Sequence, residues 1–355
     1  MRILITGSKG MLGQEFMRQL HMGTWEHGNM GTIEVMGWSR DDLDITSENE
    51  VMEKISAFKP GVVLNCAAYN NVDKAEDEPE VANAINGEAV GYLARAAAAC
   101  DAAFVHFSTD YVFSGNLPTT KSDAAARNSV TGYTEEDMPD PVSAYGQSKA
   151  MGEQRMLSVF RHSEPRRVGR GEESLSHANQ GVEISRALHS LEMTRRGQWY
   201  IVRTSKLFGP PGLGATSKKS FPEMMIGFAR AKGSVEAIDG EVGSPTYVKD
   251  LAEATMQLVG LGLVPSRGGA QGPALQEPML SGIYHIINSG SCTWYEYAKA
   301  AVESAGVVAE VIPVGPERFP RKAKRPENAT LLNTKLPPLR SWQEALKEYL
   351  SGIPI

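Results

Sequence analysis

A short strand-like run, Arg2-Ile3-Leu4-Ile5-Thr6, leads straight into Gly7-Ser8-Lys9-Gly10-Met11-Leu12-Gly13, and apolar residues then recur at helical spacing through Phe16 and Leu20. Strand, glycine turn and helix in that order leave few folds open. Glycines permit a tight turn, close approach of backbone to a pyrophosphate, and close packing of helix on strand. The helix N-terminus offers free N–H groups and a partial positive charge to phosphate oxygens. In this context the turn predicts the phosphate site of a dinucleotide, built from Gly7, Lys9, Gly10, Met11, Leu12 and Gly13. The spacing is GxxGxxG, not the GxGxxG of most dinucleotide-binding dehydrogenases.

A second strand is expected over 32–37, ending in Trp38-Ser39-Arg40. An acidic residue here would bind the 2′-hydroxyl of NAD. Ser39 and Arg40 instead suit the 2′-phosphate of NADP. Asp41 and Asp42 lie close by and leave NADH open as an alternative. Asp44 and Ile45 border the adenine in this reading; alternatively Asp44 and Thr46 cap a helix that starts near Ser47.

Further strands are expected at 61–66, 103–108, 200–204 and 283–287, and helices at 78–100, 296–305 and 342–350. Alternation through the first half argues an α/β fold, a doubly wound parallel sheet of the Rossmann type with helices on both faces. Ligands in such sheets lie at the carboxyl ends of strands. The glycine turn, Ala67-Ala68-Tyr69 and Ser108-Thr109 all fall there, so Ala67, Ala68 and Tyr69 join the expected cofactor site.

Tyr145 and Lys149 stand four residues apart, on one face of a helix. An ammonium beside a phenol favours the phenolate and moves a group with pKa near ~10 toward working pH. There it can exchange a proton with a substrate oxygen. The same Lys149 can hold a ribose hydroxyl. The YxxxK spacing alone occurs by chance on helix surfaces; the glycine turn and Ser108-Thr109 in this order give it meaning.

The chain has 355 residues and a net charge of −6, with no basic stripe, so nucleic acid is not an expected partner. No apolar run approaches the ~20 residues of a membrane span, and no charged-then-apolar leader precedes the first strand. The three cysteines, Cys66, Cys100 and Cys292, fit neither a disulfide framework nor a zinc site. A reducing cytoplasm is the expected setting. Two stretches, 115–130 and 161–198, read as surface excursions, and 262–277 as a glycine- and proline-rich loop.

Several motifs are more specific: Asn65-Cys66-Ala67-Ala68-Tyr69 with Val72-Asp73-Lys74-Ala75-Glu76, Ser108-Thr109-Asp110-Tyr111-Val112-Phe113, and Tyr145-Gly146-Gln147-Ser148-Lys149 with Gly152-Glu153. Gly243-Ser244-Pro245-Thr246-Tyr247 and Arg325-Pro326-Glu327-Asn328 follow. On these the chain resembles the dTDP-4-dehydrorhamnose reductase family of extended short-chain dehydrogenases/reductases. The resemblance implies NADPH-dependent reduction of a 4-keto nucleoside-diphosphate sugar, with Thr109, Tyr145 and Lys149 catalytic. It places Asp110, Tyr111, Lys206 and Arg325 toward the sugar. It also implies a cofactor domain over 1–204 and a mainly substrate-binding lobe over 205–355, with segments near 245–260 and 283–288 returning to the first domain. A homodimer stays open. Some relatives hold magnesium at a subunit contact, but nothing in the sequence identifies ligands for it, and no metal site is expected.

There are departures. The family usually has Trp where this chain has Lys206, Thr at Asn70, Asn at Ser220 and Ser at Ala329. The Trp-to-Lys exchange bears on the sugar more than on the reaction type. An epimerase or dehydratase of the same fold is the nearest alternative, but a dehydratase should carry an acidic pair after its Thr, and here Asp110 is followed by Tyr111. A cofactor-binding regulatory subunit would be favoured by loss of Thr109, Tyr145 or Lys149, and all three are present.

Overall fold

Leu4, Val63, Phe104 and Ile201 enter one apolar cluster, while Ile3, Ile5, Leu64, Val105 and Val202 enter another. That is the period-two alternation of strands buried on both faces. The computed structural model describes residues 1–22, 33–116, 131–161, 197–214, 217, 219–261 and 278–353. The expected excursions, apart from their ends, and the 262–277 loop lie outside these residues, as does Thr32 of the expected second strand.

The strands are β1 (Arg2–Thr6), β2 (Glu34–Trp38), β3 (Val62–Asn65), β4 (Ala103–Thr109), β5 (Trp199–Thr204), β6 (Leu207–Phe208), β7 (Ser234–Ile238), β8 (Thr246–Tyr247), β9 (Gly282–His285) and β10 (Glu310–Val314). Six of them form one sheet in the order β2-β1-β3-β4-β5-β9, with every pairing parallel. The order is the 2-1-3-4-5 type of doubly wound sheet, and its direction of winding reverses between β1 and β3. At that switch the glycine turn meets Ala67.

The helices are α1 (Met11–Met22), α2 (Glu48–Phe58), α3 (Pro79–Asn83), α4 (Ala89–Ala99), α5 (Ala144–Arg161), α6 (Phe221–Lys232), α7 (Val248–Leu258), α8 (Trp294–Ser304) and α9 (Trp342–Ser351). Residues of α2, α4 and α5 line the Leu4 face of the sheet, and residues of α1, α7 and α9 the other. The single helix expected over 78–100 is α3 and α4 joined by a π-helical turn at Ala84–Glu88. Such wide turns are frequent at functional sites.

A smaller unit pairs β7 with β10 in parallel and packs them on α6 and α8 through Met225, Ala229, Val235, Ala298 and Val302. α6 and α8 each begin with a capping box, Ser220 with Glu223 and Thr293 with Glu296. Among the described residues no helix is long and apolar enough to cross a membrane.

Candidate active site

Gly7 closes β1 with φ +67°, and a Cβ there would lie 2.6 Å from the Ala67 amide nitrogen. Only glycine serves both the left-handed backbone and the contact. The contact seats the phosphate turn against the segment that follows β3. Gly10 N–H donates to Gly7 O at 2.9 Å, and α1 starts at Met11 with Leu12 buried beneath it. The Lys9 carbonyl accepts from Leu213 N–H at 2.8 Å, while its ammonium sits 2.5 Å from Asp41 on the surface.

At the end of β2, Ser39 is buried and donates both its N–H and its hydroxyl to Asp42 Oδ2, each at 2.8 Å. Arg40 is exposed, and among the described residues no hydrogen bond or ion pair engages it. The Asp44 carboxylate accepts from Thr46 N–H at 3.0 Å and Thr46 Oγ1 at 2.7 Å, a turn just before α2 and not the helix cap expected of these two residues. Ser47 itself caps α2. Ile45 is half-buried against the α2–α4 face. The glycine cradle and the exposed Arg40 guanidinium suit a dinucleotide with a 2′-phosphate. Arg40→Asp should therefore raise the KM for NADPH and shift the preference toward NADH, because a charge-assisted contact becomes a repulsion. Steady-state kinetics with both cofactors check this; an unmoved preference would make Arg40 a plain surface cation.

Thr109 ends β4 and caps a 3-10 turn at Asp110–Val112, accepting from Tyr111 N–H at 3.2 Å and donating to Asp110 Oδ1 at 2.9 Å. Ser205 Oγ donates to the other Asp110 oxygen at 2.5 Å. Tyr145 lies in the first turn of α5, its ring edge-on to Tyr111 with centroids 5.6 Å apart. Burial and the Asp110 charge push its hydroxyl above the usual range, and a hydrogen bond with Thr109 pulls it back. One turn on, the buried Lys149 ammonium donates to Phe107 O at 2.6 Å. Burial draws it down to about 8, against the opposing pull of Glu153. The structure thus brings Thr109, Asp110, Tyr111, Tyr145 and Lys149 together. Lys149 is not among the groups that displace the Tyr145 hydroxyl; burial and Asp110 dominate there.

Four residues that sequence reasoning assigned no role complete the cluster. Asn86, in the π-helical turn, accepts from Tyr69 N–H at 2.8 Å and donates to Tyr69 O and to Ser148 Oγ, both at 3.0 Å. It ties the loop after β3 to α5. Gly152 lets α5 come this close, since a Cβ would lie 2.2 Å from Asn86 O. Glu153, one turn beyond Lys149, takes Arg203 of β5 in a two-pronged pair at 3.0 and 2.7 Å and accepts from Ser108 Oγ at 2.5 Å. The signal for this pair was there: an arginine that directly follows the apolar run Tyr200-Ile201-Val202 in a buried strand needs a buried partner. Ser205, which orients Asp110, is the fourth. A lone serine after a strand carries no comparable mark.

Arg325 is ion-paired with Asp73 at 2.8 Å, and its guanidinium lies 5.8 Å from the Tyr111 ring centroid. Lys206 extends inward from the end of β5. Its Nζ donates to Glu241 O at 3.1 Å and Cys292 O at 3.0 Å and stands 4.3 Å from the Trp294 ring centroid. Trp294 also lines a cavity of about 650 Å³ between α6 and β7, with Phe221, Phe319, Arg318 and Arg321. Nothing in the sequence marked this cavity.

The family described as RmlD substrate binding domain matches residues 1–166 and 191–354. A dTDP-4-dehydrorhamnose reductase of Mycolicibacterium smegmatis is 32% identical, covering 99% of this chain and 86% of the relative. The spore coat polysaccharide biosynthesis protein SpsK of Bacillus subtilis is 30% identical, covering 98% of this chain and 96% of the relative. The crystal structure of dTDP-4-dehydrorhamnose reductase from Bacillus anthracis in complex with NADP superposes with a TM-score of 0.72 at 26% identity, covering 99% of each chain. With the family matched over all but 167–190 and the last residue, and the glycine turn, Ala67 and Thr109 at the carboxyl ends of neighbouring strands, the chain belongs to the dTDP-4-dehydrorhamnose reductase family.

Proposed function

We propose that this chain is an NADPH-dependent reductase of a 4-keto nucleoside-diphosphate sugar, converting dTDP-4-dehydrorhamnose to dTDP-rhamnose for cell-surface polysaccharide synthesis in the cytoplasm. The observation that carries this reading is the convergence of Thr109, Asp110, Tyr145 and Lys149 at the carboxyl end of β4, beside the glycine turn, in a chain matched throughout by reductases.

The turn at Gly7–Gly13 would hold the cofactor's phosphates, Arg40 its 2′-phosphate and Lys149 its nicotinamide ribose. Bound NADPH supplies the hydride. Charge then develops on the C4 oxygen of the sugar. Thr109 hydrogen-bonds that oxygen, and Tyr145 donates the proton. A hydroxyl pushed above its ordinary range is protonated at neutral pH, the state an acid requires. Asp110, held by Ser205, and Arg325 flank the sugar. The nucleotide occupies the cavity, where Phe221, Trp294 and Phe319 offer apolar faces, while Arg318 and Arg321 at its rim are paired with Glu236 and Glu241.

Two measurements test this. NADPH oxidation is followed with dTDP-4-dehydrorhamnose and with its UDP and GDP counterparts, and the product is identified by NMR. Fastest turnover is expected with the dTDP sugar, and oxidation with none of them would overturn the reading. The second measurement is kcat/KM against pH. The Lys149 ammonium is charged below about 8, so activity should fall as pH rises through that value. A flat profile to pH 10 would remove Lys149 as the group whose charge is needed.

A further inference from the structure

Lys206 has φ +43°, the left-handed region that a non-glycine residue holds only where its surroundings fix it. Its surroundings do. The aliphatic stem runs over Gly243, where a Cβ would lie 2.8 Å from Lys206 Cε. The ammonium joins two carbonyls, Glu241 O and Cys292 O, and faces the Trp294 ring. Those carbonyls belong to segments already bridged to each other, with Gly243 N–H donating to Cys292 O at 3.1 Å and Cys292 N–H to Gly243 O at 3.0 Å. On its far side the same strip is tied to the segment after Arg325, Val242 N–H donating to Glu327 O at 2.8 Å. Ser205, the preceding residue, holds Asp110. One dipeptide therefore touches both the catalytic cluster and the wall of the cavity.

We propose that Lys206 is a positioning residue for the nucleotide end of the substrate: it locks Trp294 and the 241–243 strip into the wall between the cavity and Asp110, so that a nucleoside diphosphate seated in the cavity presents its sugar to Tyr145. The proposal rests on reading that cavity as the nucleotide site. The ammonium does by hydrogen bonds and by attraction to the ring face what a stacked aromatic does by packing. It also sets a positive charge where a diphosphate runs between cavity and Tyr145. The groups that face it are Asp110 after β4, Glu241 and Cys292 on the bridged strips, and Glu296 in the first turn of α8. Burial draws its pKa down to about 8, with those groups opposing.

The test uses the full chain with dTDP as probe, by calorimetry, alongside kinetics on dTDP-4-dehydrorhamnose. Lys206→Met keeps the length and removes the charge. It should raise the Kd for dTDP and the KM for the sugar about tenfold, leaving kcat and the NADPH Kd within about twofold. Lys206→Arg, which retains a cation able to reach carbonyls and lie on Trp294, should recover most of the loss. Wild-type dTDP affinity should weaken as pH rises through about 8, and the Lys206→Met curve should be flat there. Equal dTDP binding by wild type and Lys206→Met overturns the proposal and leaves the reductase reading standing. So does a fall in kcat without a change in KM, which is what a merely structural lysine would give. A wild-type protein that binds no dTDP removes the nucleotide reading and this proposal with it. If Lys206→Met does not fold, Lys206→Arg and the wild-type pH curve decide: a pH-independent dTDP affinity overturns the proposal.

Discussion

Tyr145→Phe should lower turnover by about a hundred- to ten-thousand-fold, the range that positioned acid–base catalysis contributes, while NADPH binds nearly as well as before. The split follows from the packing. The Tyr145 ring rests edge-on against Tyr111, and phenylalanine keeps that contact. Thr109 is not orphaned, because its hydroxyl still donates to Asp110 and accepts from Tyr111 N–H. Only the proton is lost. Single-turnover rates and a fluorescence titration with NADPH measure the two halves separately. Retention of most activity would mean that the proton comes from another group or from water.

Glu153→Gln should destabilise the protein by about 3–5 kcal/mol, the cost of breaking a buried pair and leaving one charge unmatched. Glu153 and Arg203 are 3% and 1% exposed at their side chains, so solvent screens little of the interaction. Arg203 also lies 5.0 Å from the Phe113 ring centroid, a contact that cannot replace the carboxylate. The variant carries a second signature. The Glu153 charge opposes the fall of the Lys149 pKa, so its removal should move the alkaline limb of the rate profile below about 8. Thermal melts and pH profiles of Glu153→Gln and of the double variant Glu153→Leu/Arg203→Met distinguish the two effects. The double variant should regain much of the stability, since an apolar pair of similar volume replaces a buried ion pair at little cost, but not the pH limb. A Glu153→Gln protein that melts and titrates like wild type would show that the pair does neither job.

Much of this architecture was legible because it is periodic. β1, β4 and β5 are apolar runs with turn signals after them, and α5 declares itself through Tyr145 and Lys149 one turn apart. The glycine turn was readable because strand, turn and helix adjoin in the chain. The cavity was not, because Phe221, Val235, Trp294 and Arg321 come from four segments that meet only after β7 pairs with β10. The π-helical turn was hidden for a different reason. Its alanine-rich flanks promise an uninterrupted helix, and only the demand of Asn86 for partners on Tyr69 and Ser148 marks the change of pitch. Lys206 was placed toward the sugar by the family resemblance. What the sequence did not show is that its ammonium is engaged by the carbonyls of two strips that the chain keeps far apart.

The route of the last third of the chain has a consequence for how the molecule is made. β9 completes the sheet beyond β5, and Trp342, Leu346, Tyr349 and Leu350 of α9 sit in the same apolar cluster as Ile3, Ile5 and Phe16. On a ribosome, α1 and β1 emerge long before the residues that cover them. Contacts of such sequence separation form late and are entropically slow. Until β9 emerges the nascent sheet shows an open β5 edge, and until α9 follows it shows an uncovered apolar face, the features that invite aggregation. NADPH binds the folded sheet and not the open one, so NADPH supplied during synthesis should raise the yield of folded enzyme by mass action.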